Sequence, residues 1–214
     1  MSDATETPMF GHRSNHDFVA YYQAVEGRPP RETLLTALAQ FDAEPPASEP
    51  RSAIDLGCGD GRDAVELLQR GWRVLGIDAQ PEAIERLRSR TDVDLTQLET
   101  QVIRFEEMTD FPKGNVDLIN ASFSLQFCPP DHFPTFWTKI VTALRSGGRF
   151  CGQLVGDRDS WAMYPTMTHL TREQVDAYLA PFALEHFEEE EHPGKTALGE
   201  EKHWHIFQIV ARKR

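Results

Sequence analysis

Cysteine is scarce in this chain. Cys58, Cys128 and Cys151 are the only three, and they stand in no paired spacing, so neither a disulfide framework nor a cysteine-based zinc site is predicted. Long apolar runs are missing too: no stretch of about 18 apolar residues exists to cross a bilayer. The leading segment MSDATETPMFGHRSN lacks the basic-then-apolar order of a signal peptide. Basic residues are outnumbered, 22 Lys and Arg against 34 Asp and Glu, and the formal net charge of -12 disfavours non-specific attraction to nucleic acid or an anionic membrane. These shortages predict a cytoplasmic protein, monomer or homodimer, whose partner is a small molecule and neither a nucleic acid nor a membrane.

What is present suffices for one domain: 214 residues, 40% of them hydrophobic, can bury a sizeable core. Residues 1–30 read as an N-terminal segment, a mobile polar leader followed by a short aromatic helix, HDFVAYYQAVEG, placed to act as a lid. Residues 31–214 read as the main domain, which begins with the amphipathic helix RETLLTALAQF. After the breaker-rich DAEPPASEP, β-type runs alternate with helical patterns. Strand Ala53–Leu56, helix Arg62–Arg70, strand Arg73–Ile77 and helix Pro81–Arg90 come first. Strands Thr100–Phe105 and Val116–Ala121, helix His132–Leu144 and strand Arg149–Val155 continue the series, with Gly147-Gly148 ending the last of these helices. Helix Thr171–Leu179, with the capping pair Thr171 and Gln174, precedes β-like runs Leu184–Glu190 and Trp204–Ala211 joined by the polar loop EHPGKTALGEEKH. The pattern predicts an α/β fold: a Rossmann-like, doubly wound, seven-stranded, mostly parallel sheet with an antiparallel C-terminal edge hairpin.

The stretch AIDLGCGDGRDAVELL puts Gly57, Gly59 and Gly61 between a strand and a helix, where bare backbone lets a ligand approach the main chain. A dinucleotide fold would carry G-x-G-x-x-G for a pyrophosphate. Here the spacing is G-x-G-x-G with Asp55 two residues before it, which favours a cofactor without pyrophosphate. S-adenosylmethionine, with a ribose, an adenine and a zwitterionic tail, fits. Asp78, at the end of WRVLGID, is placed to accept hydrogen bonds from both ribose hydroxyls.

Through IDLGCGDGRDAVELLQRGWRVLGID, the loop NASFSLQF and the ending KHWHIFQIVARKR, the chain resembles the class I S-adenosylmethionine-dependent methyltransferases over residues 31–212, and in particular the tellurite-resistance-type small-molecule enzymes. The resemblance implies that Asp55, Gly57, Gly59 and Asp60 line the methionine part, Asp78 and Ala79 the ribose, and Phe105 and Glu106 the adenine. Arg104 stands where relatives often have the acidic residue. Asn120, Ala121 and Ser122 then lie under the methyl-bearing sulfur. The favoured acceptor is a soft chalcogen or thiol. An oxygen or nitrogen of a metabolite is the alternative within the class, and a non-catalytic sensor or scaffold the alternative outside it.

Irregular backbone after a parallel strand is where ligands bind, so the segment GDRDSWAMYPTMTHLT supplies the acceptor candidates. Arg158 and Trp161 are expected to touch the acceptor, and Tyr164 and His169 to serve catalysis. Tyr21 and Tyr22 are expected to close over the site as an aromatic lid, and Arg31 to meet an anionic group of cofactor or acceptor. His203 and His205 share a strand face but have no third ligand nearby, so no metal is predicted.

Overall fold

Apolar residues set side by side in the strand segments are what build this molecule, because neighbours on a strand point to opposite faces. Ala53, Val74, Leu118 and Val210 face a layer formed by Leu34, Leu38 and Phe41 with Leu67 and Leu87, while Ile54, Ile77, Ile119 and Ile209 face one formed by Phe136, Trp137 and Ile140 with Val175 and Leu179. The computed structural model describes residues 15–109 and 111–214; the expected leader 1–14 lies outside them. Helices α1 (Asn15–Val25) and α2 (Glu32–Asp42) precede β1 (Ser52–Leu56), α3 (Arg62–Gln69), β2 (Arg73–Asp78), α4 (Pro81–Arg88) and β3 (Leu98–Val102). Then follow β4 (Val116–Ala121), α5 (Phe133–Ala143), β5 (Leu144–Val155), α6 (Arg172–Leu179), β6 (Phe182–Lys195) and β7 (Glu201–Lys213).

The seven strands form one sheet in the order β3-β2-β1-β4-β5-β7-β6. The pairs among β1 to β5 are parallel, whereas β7 runs antiparallel to both β5 and β6. Helices α2, α3 and α4 cover one face and α5 and α6 the other. This is the expected Rossmann-like architecture, with the hairpin at one edge and its second strand inserted next to β5.

Three local expectations need correction. The third strand ends at Val102, and Phe105–Glu107 is a 3-10 turn, because the Ile103 N–H bonds the Asp78 carbonyl and the chain turns off the sheet. Gly147 and Gly148 do not end the helix, which stops at Ala143; they lie inside β5 at a register irregularity against β4. Gly147 has φ +77°, and a Cβ on Gly148 would sit 3.0 Å from three carbonyl oxygens, so the bulge needs both glycines. The polar connection 191–203 is mostly strand, since β6 and β7 stay paired as far as Lys195 and Glu201. That extension carries the hairpin past Val155, the last residue of β5, at the carboxyl end of the parallel strands.

Candidate active site

The chain leaves β1 toward β2 on one side and returns as β4 on the other, which opens a crevice at the carboxyl ends of β1 and β4. The N–H groups of Gly57 and Cys58 both donate to the Ile77 carbonyl, at 2.7 and 2.9 Å, folding the glycine loop over the end of β2. Gly57 has φ +72°, and a Cβ there would lie 2.4 Å from the Ser124 Cβ, so only glycine lets this loop meet the turn after β4. Asp78 closes the other side: Oδ2 accepts the Gly59 N–H at 2.9 Å and Oδ1 the Gln80 N–H at 2.8 Å. A carboxylate oxygen accepts two bonds, so each retains capacity for a hydroxyl. Burial raises the Asp78 pKa, and the N–H groups of Gln80, Gly59 and Ala79 oppose that rise.

Beneath the loop lies a buried polar chain. The Asn120 amide donates to Asp55 Oδ1 at 2.8 Å and to Asp63 Oδ2 at 2.9 Å, and the Ser122 hydroxyl donates to the same Asp63 oxygen at 2.6 Å. Asp63 Oδ1 accepts the Arg31 N–H at 2.9 Å, tying α2 to the site. Asp55 Oδ2 is buried without a hydrogen-bond partner. Burial, and then the charge of Asp63, push the Asp55 pKa up to about 8, while the Asn120 bond pulls it down. A cationic donor is the natural complement of this carboxylate, and the α-ammonium of S-adenosylmethionine is one; the residues present fit that group.

A prediction follows from the raised pKa. The folded protein binds a proton on Asp55 that an unfolded carboxylate, near pKa 3.9, has released. The stability this contributes is complete below about pH 4 and is lost as pH rises through about 8. The ligand-free protein is therefore expected to melt at lower temperature at pH 8.5 than at pH 5, with the difference smaller in Asp55→Asn. Thermal melts across that range check it, and an undiminished difference in the variant would assign the effect to other groups.

In the turn after β3, Phe105 stacks on Phe136 at 4.9 Å between centroids, and Glu106 pairs with Arg104. Ala79 is exposed beside Asp78, and Asp60 is half-buried in the glycine loop. Tyr22 is buried, and its ring lies 3.6 Å from where a Cβ on Gly59 would be. Burial and the nearby Asp78 raise its phenol pKa. Tyr21 meets it edge-on at 5.6 Å, so α1 sets both tyrosines beside the glycine loop.

Against the glycine loop lies the turn after β4. Phe123 holds φ +52°, the one positive φ at a non-glycine among the described residues. Its N–H donates to Gln153 Oε1 at 3.1 Å, and the Ser124 hydroxyl donates to the Leu56 carbonyl at 2.6 Å. The Arg31 guanidinium lies 4.6 Å over the Phe123 ring, and Trp204 meets that ring edge-on at 5.9 Å. From the extended hairpin, Lys202 places its ammonium 3.9 Å over Trp161 and 4.5 Å over Trp204 and pairs with Asp159, with both charged side chains fully buried. Burial lowers the Lys202 pKa, and Asp159 holds it up.

Of the expected acceptor residues, Arg31 and Trp161 thus border one region with Phe123, and His169 lies near enough to Asp159 and Lys202 to feel both charges. Tyr164 is half-buried and ends the 3-10 turn Ser160–Met163, with its N–H on the Trp161 carbonyl. The Arg158 guanidinium is bonded instead to Glu189 at 2.9 Å and Glu191 at 2.8 Å on β6, and its N–H to His205 Nδ1 at 3.1 Å. Among the described residues no group of three or more His, Cys, Asp or Glu is placed to hold a metal ion. His205 is buried against Glu189, and His203 meets Glu191 at 3.0 Å. Sequence reading missed Asp63, Phe123, Gln126, Gln153, Asp159 and Lys202. For Asp63 a signal existed: a carboxylate one helical turn before Leu67 on the buried face of α3.

Residues 53–148 match the methyltransferase domain family. An uncharacterized methyltransferase of Synechocystis is 28% identical over 117 residues, 55% of this chain and 53% of that protein. Trans-aconitate 2-methyltransferase of Afipia carboxidovorans is 30% identical over 135 residues, 62% of this chain and 46% of that protein. The chain spans about half the length of these curated relatives. The crystal structure of TehB from Haemophilus influenzae shares the fold, with a TM-score of 0.72 at 15% identity over 91% of this chain and 66% of that one. Over these residues the chain is similar to methyltransferases, and its fold is that of TehB. Among the described residues no helix is long and apolar enough to cross a membrane.

Proposed function

We propose that this protein transfers the methyl group of S-adenosylmethionine to a small molecule held against Phe123 at the carboxyl ends of β4 and β5. The observation that carries this reading is the buried, partnerless Asp55 Oδ2 lying between the glycine loop and Asn120, with Asp78 across the loop. Asp55 would take the α-ammonium, Asp78 and Ala79 the ribose, and Phe105 and Glu106 would flank the adenine. Asn120, Ala121 and Ser122 would form the floor beneath the sulfur. When bound, the sulfonium supplies a good leaving group. The protein then has to hold the acceptor in line with the sulfur–methyl bond and keep water out. Arg31 would orient an anionic group, and Tyr21 and Tyr22 would cover the site.

A soft chalcogen or thiol, the acceptor that the resemblance implies, needs only that positioning. A protic oxygen or nitrogen needs a proton acceptor as well. Calorimetry tests the core of the proposal: S-adenosylmethionine and S-adenosylhomocysteine should bind, and NAD should bind weakly or not at all. Tight NAD binding without S-adenosylhomocysteine binding would sink it. The lid has its own test. S-adenosylhomocysteine should slow hydrogen exchange of the amides in α1 and residues 26–31 about tenfold or more, and equal exchange with and without ligand would reduce α1 to ordinary packing.

A further inference from the structure

Two buried acceptor atoms beside the transfer locus have no hydrogen-bond partner: Oε1 of Gln126 and Nε2 of His169. The chain brings the two residues together. Gln126 donates its side-chain amide N–H to the Phe123 carbonyl at 2.7 Å, and its main-chain carbonyl accepts the N–H of Thr168, the neighbour of His169, at 2.9 Å. Since a carbonyl can only accept, the Phe123 bond fixes which end of the Gln126 amide is the oxygen. Backbone hydrogen bonding at Met167 holds up the His169 pKa against burial, and Nε2 is buried without a partner. With the ring hydrogen on Nδ1, Nε2 presents a lone pair.

Unmet buried polar atoms are destabilising, and one on each of two adjoining segments calls for a ligand that brings N–H or O–H hydrogens. The surrounding surface is aromatic, with Phe123 against Trp204 and Trp204 against Trp161 at 6.2 Å. That suits a flat ring. The charges that His169 feels, Asp159 from the β5–α6 connection and Lys202 from β7, are already paired with each other, and burial lowers its pKa, so the ring is neutral near pH 7. A thiolate or a chalcogen oxyanion would bring further lone pairs to Oε1 and Nε2 and find no donor in either.

Resting on the methyltransferase reading, we infer that the acceptor is a neutral planar molecule bearing a protic ring nitrogen or hydroxyl, with His169 Nε2 taking that proton and Gln126 Oε1 holding a second donor where the acceptor has one. In the step, the acceptor's nitrogen or oxygen lone pair forms the new bond to the methyl carbon. The carbon–sulfur bond breaks with its pair on sulfur, leaving a neutral thioether. The acceptor's N–H or O–H proton passes to Nε2, and the resulting imidazolium later returns it to solvent.

The test follows single-turnover methyl transfer from labelled S-adenosylmethionine to four probes: catechol, benzimidazole, thiophenol and tellurite. Catechol or benzimidazole should be methylated, at least about 100-fold faster than thiophenol and tellurite. The rate should fall as pH drops through the lowered His169 pKa. His169→Asn should slow transfer about 100-fold and abolish that acidic limb. If that variant does not fold, Gln126→Leu, expected to raise the KM for the protic probe about tenfold, and the parent's own pH profile still decide. The 15N signal of His169 Nε2 should also move when benzimidazole is added to the S-adenosylhomocysteine complex. Methylation of thiophenol or tellurite alone, a flat profile, or no transfer to any probe by protein that binds S-adenosylhomocysteine overturns the inference. Failure to bind S-adenosylhomocysteine at all instead brings down the methyltransferase reading beneath it.

Discussion

Asp159→Ala is expected to lower the stability of the protein by about 3 to 5 kcal/mol, the usual cost of leaving one partner of a buried ion pair alone. For a chain of this size that corresponds to a melting point roughly 6 to 20 °C lower. The side chain does three jobs. It pairs with Lys202, its Oδ1 accepts the Trp161 N–H at 2.9 Å, and its Oδ2 accepts the His205 N–H at 3.3 Å. Together these staple the extended hairpin to the connection after β5. Without Asp159, the Lys202 ammonium stays between Trp161 and Trp204 with its pKa depressed by burial. The folded variant then binds fewer protons than the unfolded chain, so its stability should rise with pH, and melting at pH 9 should exceed that at pH 7. Asp159→Leu combined with Lys202→Met should recover most of the loss, since an apolar pair of similar volume often matches a buried ion pair. Scanning calorimetry on the three proteins checks the set. A loss under about 1 kcal/mol in Asp159→Ala would mean that the pair does not hold the hairpin.

The sequence is legible where local rules and tertiary structure agree. Ala53–Leu56, Arg73–Ile77 and Val116–Ala121 are short apolar runs, and they became parallel strands because helices cover both of their faces. Thr171 and Gln174 announced a capping box, and both of its bonds are present. The glycine loop and Asp78, which do meet, were legible for the same reason: close backbone approach and a strand-end carboxylate are local features. The Asp159–Lys202 pair was less legible. Asp159 and Lys202 are 43 residues apart, and nothing in either neighbourhood announces the other. The connection 191–203 reads as a loop because it carries Gly, Pro and charge. Yet an edge hairpin extending past its neighbour strand is largely solvated, and there strand pairing tolerates that composition. Gly147 and Gly148 were misplaced because a helix end and a β-bulge ask for the same residue.

Asp78→Ala is expected to weaken S-adenosylhomocysteine binding by roughly 1.5 to 3 kcal/mol, about 10- to 150-fold, the worth of hydrogen bonds to a charged acceptor. The carboxylate already takes one backbone N–H on each oxygen, from Gly59 and from Gln80, which fixes its orientation and leaves each oxygen capacity for a further donor. A ribose held there would meet a preformed acceptor, with little ordering left to do on binding. The substitution also releases the Gly59 N–H, so part of the loss could come from a loosened glycine loop. A cycle with a second ligand separates the two contributions. A 2′,3′-dideoxy analogue of S-adenosylhomocysteine keeps the adenine and the amino-acid tail but has no hydroxyls for Asp78. It should bind the parent more weakly than S-adenosylhomocysteine does, and bind the variant about as well as it binds the parent. If the analogue instead loses as much affinity as S-adenosylhomocysteine on going to Asp78→Ala, Asp78 acts by shaping the loop, and its assignment to the ribose is withdrawn.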